Sequence, residues 1–316
     1  MNSSVPATLL SDLQVDVTEN ASLADASWYR IGGSADMLVK PRSIESLCQL
    51  LQRATEQEIR IRVLGRGANL LVCDEGVDGL VISLEHENFR MLEVAADDTS
   101  PLLEVGGGTD MSRTLMECSR RGLDGLSQMA GIPASIGGAI RMNAGGRYGS
   151  ISDHLHSVTT IGIDGTQREY GIDELEFDYR SCSIQDPVIT GATFRMQPDD
   201  PTRVREKVKE IFRYKTGTQP LAEKSAGCVF RNPLGPDDQR ISAGRLIDEA
   251  GLKGTTRGGA CISEHHANFF TTTPGSSTDD LLDLIRIAQD AVHEETGIRL
   301  ETELVVWSRH DWSKDR

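Results

Sequence analysis

The spacing of hydrophobic positions changes several times along the chain, and each change marks an element. Between residues 42 and 58, Leu47, Leu50, Leu51 and Ala54 recur at spacings of three and four with charged side chains between them, which predicts an amphipathic helix. Short apolar runs at 61–64, 70–73 and 79–84, split by glycine-rich turns, read as strands. A second region opens near Glu85, with strand-like 91–94 and 102–105, a helix around 112–121, and strands around 158–163 and 188–196. Gln197-Pro198-Asp199-Asp200-Pro201 breaks both periods and marks a boundary. Beyond it, 202–214, 242–250 and 278–296 read as helices, the last capped by Ser277 or Thr278. The run 298–307 reads as a closing strand whose period of two puts Glu301 and Glu303 on one face. The opening reads as an α+β or α/β lobe, and the expectation is an α+β chain in three parts: residues 1–84, 85–199 and 200–316.

Composition narrows what such a chain can do. Lys and Arg number 33 against 48 Asp and Glu, a net charge of −15. That balance argues against nucleic acid as a partner, because such affinity comes largely from neutralising phosphates. A few basic side chains can still line a pocket for a small anion. Cys48, Cys73, Cys118, Cys182, Cys228 and Cys261 show neither a Cys-x-x-Cys pair nor zinc spacing, and read as reduced thiols. The first twenty residues lack a basic stretch leading into an apolar one, and no apolar run approaches membrane-spanning length. The expectation is a cytoplasmic chain with no membrane partner, no metal and no obligate protein partner.

Glycine is the informative residue, with 31 copies that cluster. No phosphate-binding G-x-x-x-x-G-K-[ST] loop occurs, and Gly65-Arg66-Gly67-Ala68-Asn69-Leu70 ends in Leu where a Rossmann fingerprint needs Gly or Ala. His154 with His156, and His265 with His266, have no carboxylate or cysteine at metal-ligand spacing. Two glycine clusters remain, residues 64–72 and the longer stretch 125–149 around Gly131-Ile132-Pro133-Ala134-Ser135-Ile136-Gly137-Gly138. Small residues in succession let backbone N–H groups converge on an anion. Two such clusters flanked by strands point to a dinucleotide held by backbone amides.

These residues carry a resemblance. The run Val63 to Val72, then Gly131-Ile132-Pro133, Gly137-Gly138-Ala139 and Met142-Asn143-Ala144-Gly145, resembles the two FAD loops of the UDP-N-acetylenolpyruvoylglucosamine reductase (MurB) family. Tyr179-Arg180-Ser181, Gln219-Pro220, residues 225–233, Ala243-Gly244-Arg245-Leu246-Ile247, His266-Ala267-Asn268-Phe269 and Leu300-Glu301-Thr302-Glu303 continue the likeness in the family's order. The short chain between Arg180 and Val188 resembles the compact subtype without an inserted substrate-gating loop.

The resemblance implies an FAD-binding fold of the vanillyl-alcohol-oxidase type. Its two α/β lobes would be residues 1–84 and 85–199, and 200–316 would be an α/β substrate-binding domain. It implies FAD and NADPH as cofactors and UDP-N-acetylglucosamine enolpyruvate as substrate, reduced to UDP-N-acetylmuramate for peptidoglycan. Gly65, Arg66, Gly67, Ala68, Asn69 and Leu70 would meet FAD, together with Gly131, Ile132, Ser135, Ile136, Gly137, Gly138, Asn143, Ala144 and Gly145. Arg180 would stabilise the enolate formed as hydride reaches C3. Cys228 stands where the family's motif has serine, and would deliver the proton to C2. A thiol, which ordinarily titrates near pH 8.5, is more acidic than a serine hydroxyl. Glu303 takes the family's carboxylate position, although spacing alone does not separate it from Glu301. Asn232, Gln219 and Lys215 would contact the substrate, Lys215 with Arg213 at its phosphates; the basic residue common just before Gln219 is Thr218 here.

Two other readings stay open at this stage. A carbohydrate oxidase of the same fold often tethers its flavin through His or Cys in the glycine loops, but residues 65–70 hold neither. A non-catalytic flavin or nucleotide-sugar binder would have little use for both Arg180 and Glu303.

Overall fold

The computed structural model describes residues 9–95, 100–235 and 237–309; residues 1–8 of the N-terminal stretch read above lie outside them. The elements used below are, in chain order, β1 (Val15–Ser22), β2 (Ser34–Pro41), α1 (Ile44–Glu56), β3 (Ile61–Leu64), β4 (Leu70–Val72) and β5 (Val77–Ser83). Then come β6 (Leu92–Ala95), β7 (Leu102–Gly106), α2 (Met111–Arg121), α3 (Ile136–Arg141), β8 (Leu155–Ile161), β9 (Gln167–Gly171) and β10 (Val188–Arg195). Last are α4 (Pro201–Thr218), α5 (Ala243–Glu249), β11 (Thr256–Arg257), β12 (Ala260–Ile262), β13 (Phe270–Thr272), α6 (Thr278–Thr296) and β14 (Val305–Trp307). The chain forms two compact units. One contains Met1–Asn20, Asp36–Arg66 and Gly79–Tyr214; the other contains Ala21–Ala35, Gly67–Asp78 and Lys215–Arg316.

The first unit holds two sheets, and Ile161 and Val188 of the second join the core under the first. One sheet runs β1-β2-β5-β3, with β3 parallel to β5. Helix α1 buries Leu47, Leu50, Leu51 and Ala54 in a cluster with Val39, Leu80 and Ile82. It is two residues shorter at each end than its pattern predicts. The Ser43 hydroxyl accepts from the Ser46 N–H to cap the start, and Glu58 leaves the helix at φ +54. The other sheet runs β9-β8-β10-β7-β6 and is antiparallel throughout. It packs Leu103, Val105 and Phe194 against Met111, Leu115 and Cys118 of α2 and Ile136, Ala139 and Ile140 of α3. Val208 and Ile211 of α4 join this core, and Lys207 pairs with Asp124 at 2.6 Å. Strands β1 and β2 are absent from the sequence reading. Strand β2 carried the signal, burying Ala35, Met37, Val39 and Pro41 in strict alternation, whereas β1 is largely exposed and has no apolar period.

In the second unit β4 pairs in parallel with β14, Leu70 opposite Val305 and Val72 opposite Trp307. Adjacent strands β3 and β4 therefore belong to different sheets, which their equally apolar runs could not reveal. Strands β11-β12-β13 form an antiparallel sheet, and α5 and α6 add Leu246, Ile247, Leu281, Leu284, Ile285 and Ala288 to a core with Tyr29, Phe230 and Phe270.

The predicted strand 298–307 survives only as β14. Upstream, Glu303 and Leu304 both donate their N–H to the Val229 carbonyl, at 2.8 and 3.2 Å, and Arg231 N–H reaches Glu301 O at 2.9 Å. Two donors on one carbonyl bend the chain as a bulge does, so the period of two fails there. Glu301 is exposed and Glu303 half-buried, which separates two residues that spacing left equivalent.

Ser277, not Thr278, caps α6. Its hydroxyl accepts from the Asp280 N–H at 3.2 Å while the Asp280 carboxylate accepts from the Ser277 N–H at 2.9 Å. Replacing Ser277 with Ala should cost about 1 kcal/mol, read as a lower unfolding midpoint. The Ser277 N–H, and after it that of Gly259, hold the Asp280 carboxyl below its ordinary value. Its contribution is therefore complete above the unfolded value of about 3.9 and fades as pH falls through the depressed folded value. An Asp280→Asn variant should lose less stability on acidification than the wild type, by thermal melts between neutral and acid pH; parallel melting curves would exclude this linkage.

Candidate functional site

Three loops meet in the first unit. A Cβ added to Gly65 at the end of β3 would lie 2.7 Å from the Ser135 hydroxyl, and Arg66 Nε lies 3.2 Å from the Asp110 carboxylate. Asp110 and Ser135 form an isolated antiparallel bridge. Both residues cap helices: Asp110 accepts from the N–H groups of Ser112 and Arg113 on α2, and Ser135 accepts from Gly138 N–H on α3. The third loop is Gly106-Gly107-Gly108-Thr109, which the sequence reading passed over although three consecutive glycines after a strand were visible. Gly137 N–H donates to Gly107 O at 2.8 Å and Ile136 N–H to Thr109 O at 3.0 Å. Two helix N-termini and a glycine wall thus share one place, with the first N–H groups of both helices bonded to protein acceptors. Gly131, at φ +78, and Ile132 form the half-buried turn leading into Ser135.

Past α3, Asn143 adopts φ +38 and is 8% exposed. Its Nδ2–H donates to Asp178 O at 2.9 Å, and its Oδ1 is buried with no hydrogen-bond partner in the protein. An unmatched buried acceptor costs about 1–3 kcal/mol, which a ligand N–H would relieve. That orphan oxygen and the glycine wall fit FAD. Arg180 stands at the tip of a two-residue hairpin that pairs Phe177 with Cys182 and Asp178 with Ser181. It is half-buried, left-handed at φ +55, and its Nη2–H donates to Gly145 O at 2.9 Å. The fold therefore gathers Gly65, Arg66, Ser135 to Gly138, Asn143 to Gly145 and Arg180 in one unit.

The second unit gathers Gly67 to Leu70 with Cys228, Asn232 and Glu303. Cys228 is half-buried and bridges Phe269 on one side, while its neighbour Val229 accepts from Glu303 N–H on the other. Asn69 clamps the glutamate segment: its Nδ2–H donates to Glu303 O at 3.0 Å and its carbonyl accepts from Val305 N–H. Asn268 clamps the cysteine segment, accepting from Phe230 N–H at 2.9 Å and donating to Phe230 O at 2.8 Å. The motif containing Asn268 was visible in the sequence, but its role was not. His266 supports it by accepting from Asn268 N–H, and burial lowers the His266 pKa and favours the neutral ring. Burial also pushes the Tyr29 hydroxyl far up, with Cys228 adding to the effect. The Asn232 Oδ1 accepts from Ala243 N–H at the start of α5. Lys215 is buried near the end of α4 and Gln219 follows half-buried, whereas Arg213 is exposed, so Lys215 and Arg213 occupy different helix faces.

The fold and its glycine cradle define a flavoprotein: residues 35–171 match the family model described as an FAD binding domain. Residues 219–307 match the model for the C-terminal domain of UDP-N-acetylenolpyruvoylglucosamine reductase. The chain belongs to the UDP-N-acetylenolpyruvoylglucosamine reductase (MurB) family. The reductase of Synechococcus sp. (strain CC9605) is 37% identical over 89% of this chain and 92% of its own length. That of Bacillus pumilus is 34% identical over 92% and 93%. The crystal structure of MurB from Thermus caldophilus matches with a TM-score of 0.76 at 37% identity, covering 94% of this chain and 100% of that one.

Asn268→Leu should strand both polar groups of Phe230 in the core. A loss of about 3 kcal/mol is expected, measured by denaturant unfolding, and a loss below about 1 kcal/mol would mean the segment finds other partners.

Proposed function

We propose that Arg180, Cys228 and Glu303 carry the chemistry by which this chain reduces UDP-N-acetylglucosamine enolpyruvate to UDP-N-acetylmuramate. Membership of the family makes the chain an FAD-dependent oxidoreductase of peptidoglycan synthesis that uses NADPH. FAD, when bound, passes the hydride taken from NADPH to the substrate. Gly65, Arg66, Ser135 to Gly138 and Asn143 to Gly145 hold it, with Gly131, Ile132 and the Gly67 to Leu70 segment completing its loops.

Hydride arriving at C3 of the enolpyruvyl group leaves charge on C2 and the carboxylate. The Arg180 guanidinium, fixed at the hairpin tip, stabilises that charge as it forms. The Cys228 thiol gives its proton to C2, completing the lactyl ether, and regains one from solvent. Glu303 assists enolate stabilisation or proton delivery. The observation that supports these roles best is the Glu303 N–H bond to the residue next to Cys228, which brings the two segments together from 75 positions apart in the chain. Asn232, Gln219 and Lys215 are the substrate contacts of this reading.

The division into parts 1–84, 85–199 and 200–316 belongs to the same proposal. So does the cytoplasm as compartment, which six cysteines without a disulfide among them support. No obligate protein partner is invoked. Among the described residues no helix is long and apolar enough to cross a membrane.

Cys228→Ala should bind FAD and let NADPH bleach it at the normal rate. Reoxidation by the enolpyruvyl sugar under anaerobic conditions should fall roughly 10²- to 10⁴-fold. Unchanged rates in both half-reactions would remove Cys228 from the mechanism. Cys228→Ser should retain substantial turnover.

A further inference from the structure

We propose that Arg141, in the last turn of α3, is a positioning residue for Arg180; the inference rests on the catalytic role proposed for Arg180. The segment 177–187 carries Arg180 on a hairpin of two residue pairs, extended by the Glu176–Ser183 hydrogen bonds and still too short to hold its own shape in water. Its tip also holds a non-glycine residue at φ +55, a conformation that costs about 1 kcal/mol and persists only when the surroundings enforce it. The geometry therefore needs outside anchors.

Asn143 holds Asp178 O near the tip, and Arg141 anchors the residues that follow the hairpin. Its Nη1–H donates to Ile184 O, and its Nη2–H to Asp186 O and, at 3.4 Å, to Pro187 O. Its own carbonyl accepts from the Cys182 thiol at 3.4 Å. A guanidinium presents several donors in a rigid planar fork, so one side chain can satisfy carbonyls that would otherwise need water. The other side of this loop is tied to the sheet. The Asp186 carboxylate accepts from Thr160 Oγ1–H at 2.6 Å, from Arg168 Nη1–H at 3.1 Å and from the Tyr170 hydroxyl at 3.0 Å. Residues 184–187 are thus pinned between β8 and β9 on one side and α3 on the other. Helix α3 begins in the Ser135 to Gly138 turn, so Arg141 joins the cofactor loop to the segment bearing Arg180 through a single helix. Displacing a catalytic cation by about 1 Å is enough to lower a rate roughly a hundredfold.

The test compares Arg141→Met, Arg141→Lys and Arg180→Ala as FAD-loaded proteins. In Arg141→Met, amide hydrogen exchange in peptides from 176–187 should speed up about tenfold while the rest of the first unit keeps its protection. NADPH should bleach the flavin at the wild-type rate, and reoxidation by the enolpyruvyl sugar should slow roughly a hundredfold. Arg141→Lys, a cation without the planar fork, should fall between. Unchanged exchange, or equal losses in both half-reactions, would make Arg141 a general brace and overturn the inference. If Arg141→Met fails to fold or to hold FAD, the Lys variant decides by the same two readings. A wild-type rate in Arg141→Met beside a slow Arg180→Ala overturns the role of Arg141 alone. A wild-type rate in Arg180→Ala overturns the reading on which it rests.

Discussion

Backbone pressed against backbone is the constraint on which the first unit depends. A Cβ on Gly106, Gly107 or Gly108 would lie 2.2, 2.1 or 1.9 Å from the carbonyl oxygens of Phe89, Ile189 and Leu84 respectively. Those carbonyls come from three different segments, one near the end of the first sheet and one inside the second. No side chain larger than hydrogen fits, so the run after β7 acts as a seam where the segments close. That seam leaves Gly107 O free to accept from Gly137 at the start of α3, where the loop proposed to hold FAD begins. The cradle is a consequence of close packing before it is a binding device.

A chain of net charge −15 must concentrate its cations to handle anionic ligands. Its Arg side chains are fixed through neutral carbonyls as well as through carboxylates. Arg180 rests on Gly145 O, and Arg141 on three loop carbonyls, while Arg66 pairs with Asp110. A guanidinium held by carbonyls keeps its full charge for a ligand, whereas one held by a carboxylate is partly neutralised. The second unit uses amides in the same spirit. Asn69 and Asn268, both far in sequence from the segments they hold, fasten the Glu303 and Cys228 segments by paired backbone contacts. Neutral clamps fix position without altering the charge balance near the Cys228 thiol and the Glu303 carboxylate.

Much was legible from residue order alone. The periodicity of Leu47, Leu50, Leu51 and Ala54 located α1, a cap at Ser277 or Thr278 located α6, and two glycine clusters pointed to a dinucleotide. These are local signals, because helix faces, caps and turns are decided by residues within a few positions of one another. The motif order from Val63 to Glu303 carried the family and with it the identity of Arg180, Cys228 and Glu303 as candidates.

Tertiary structure decided what depends on distant partners. Strand β4 could have joined β3 next to it, yet it pairs with β14 more than 230 residues later. An apolar run specifies burial and leaves the partner to whichever surface completes the sheet. Glu301 and Glu303 were equivalent by spacing until two N–H groups converged on Val229 and bent the chain between strands. The importance of Arg141 and Asn268 was invisible for the same reason: each acts on backbone groups that only the folded chain brings within reach. Sequence by itself determined the elements, the chemistry available and the family. Which segments meet, and which of two like residues faces inward, was decided by long-range hydrogen bonds and packing that local patterns do not encode.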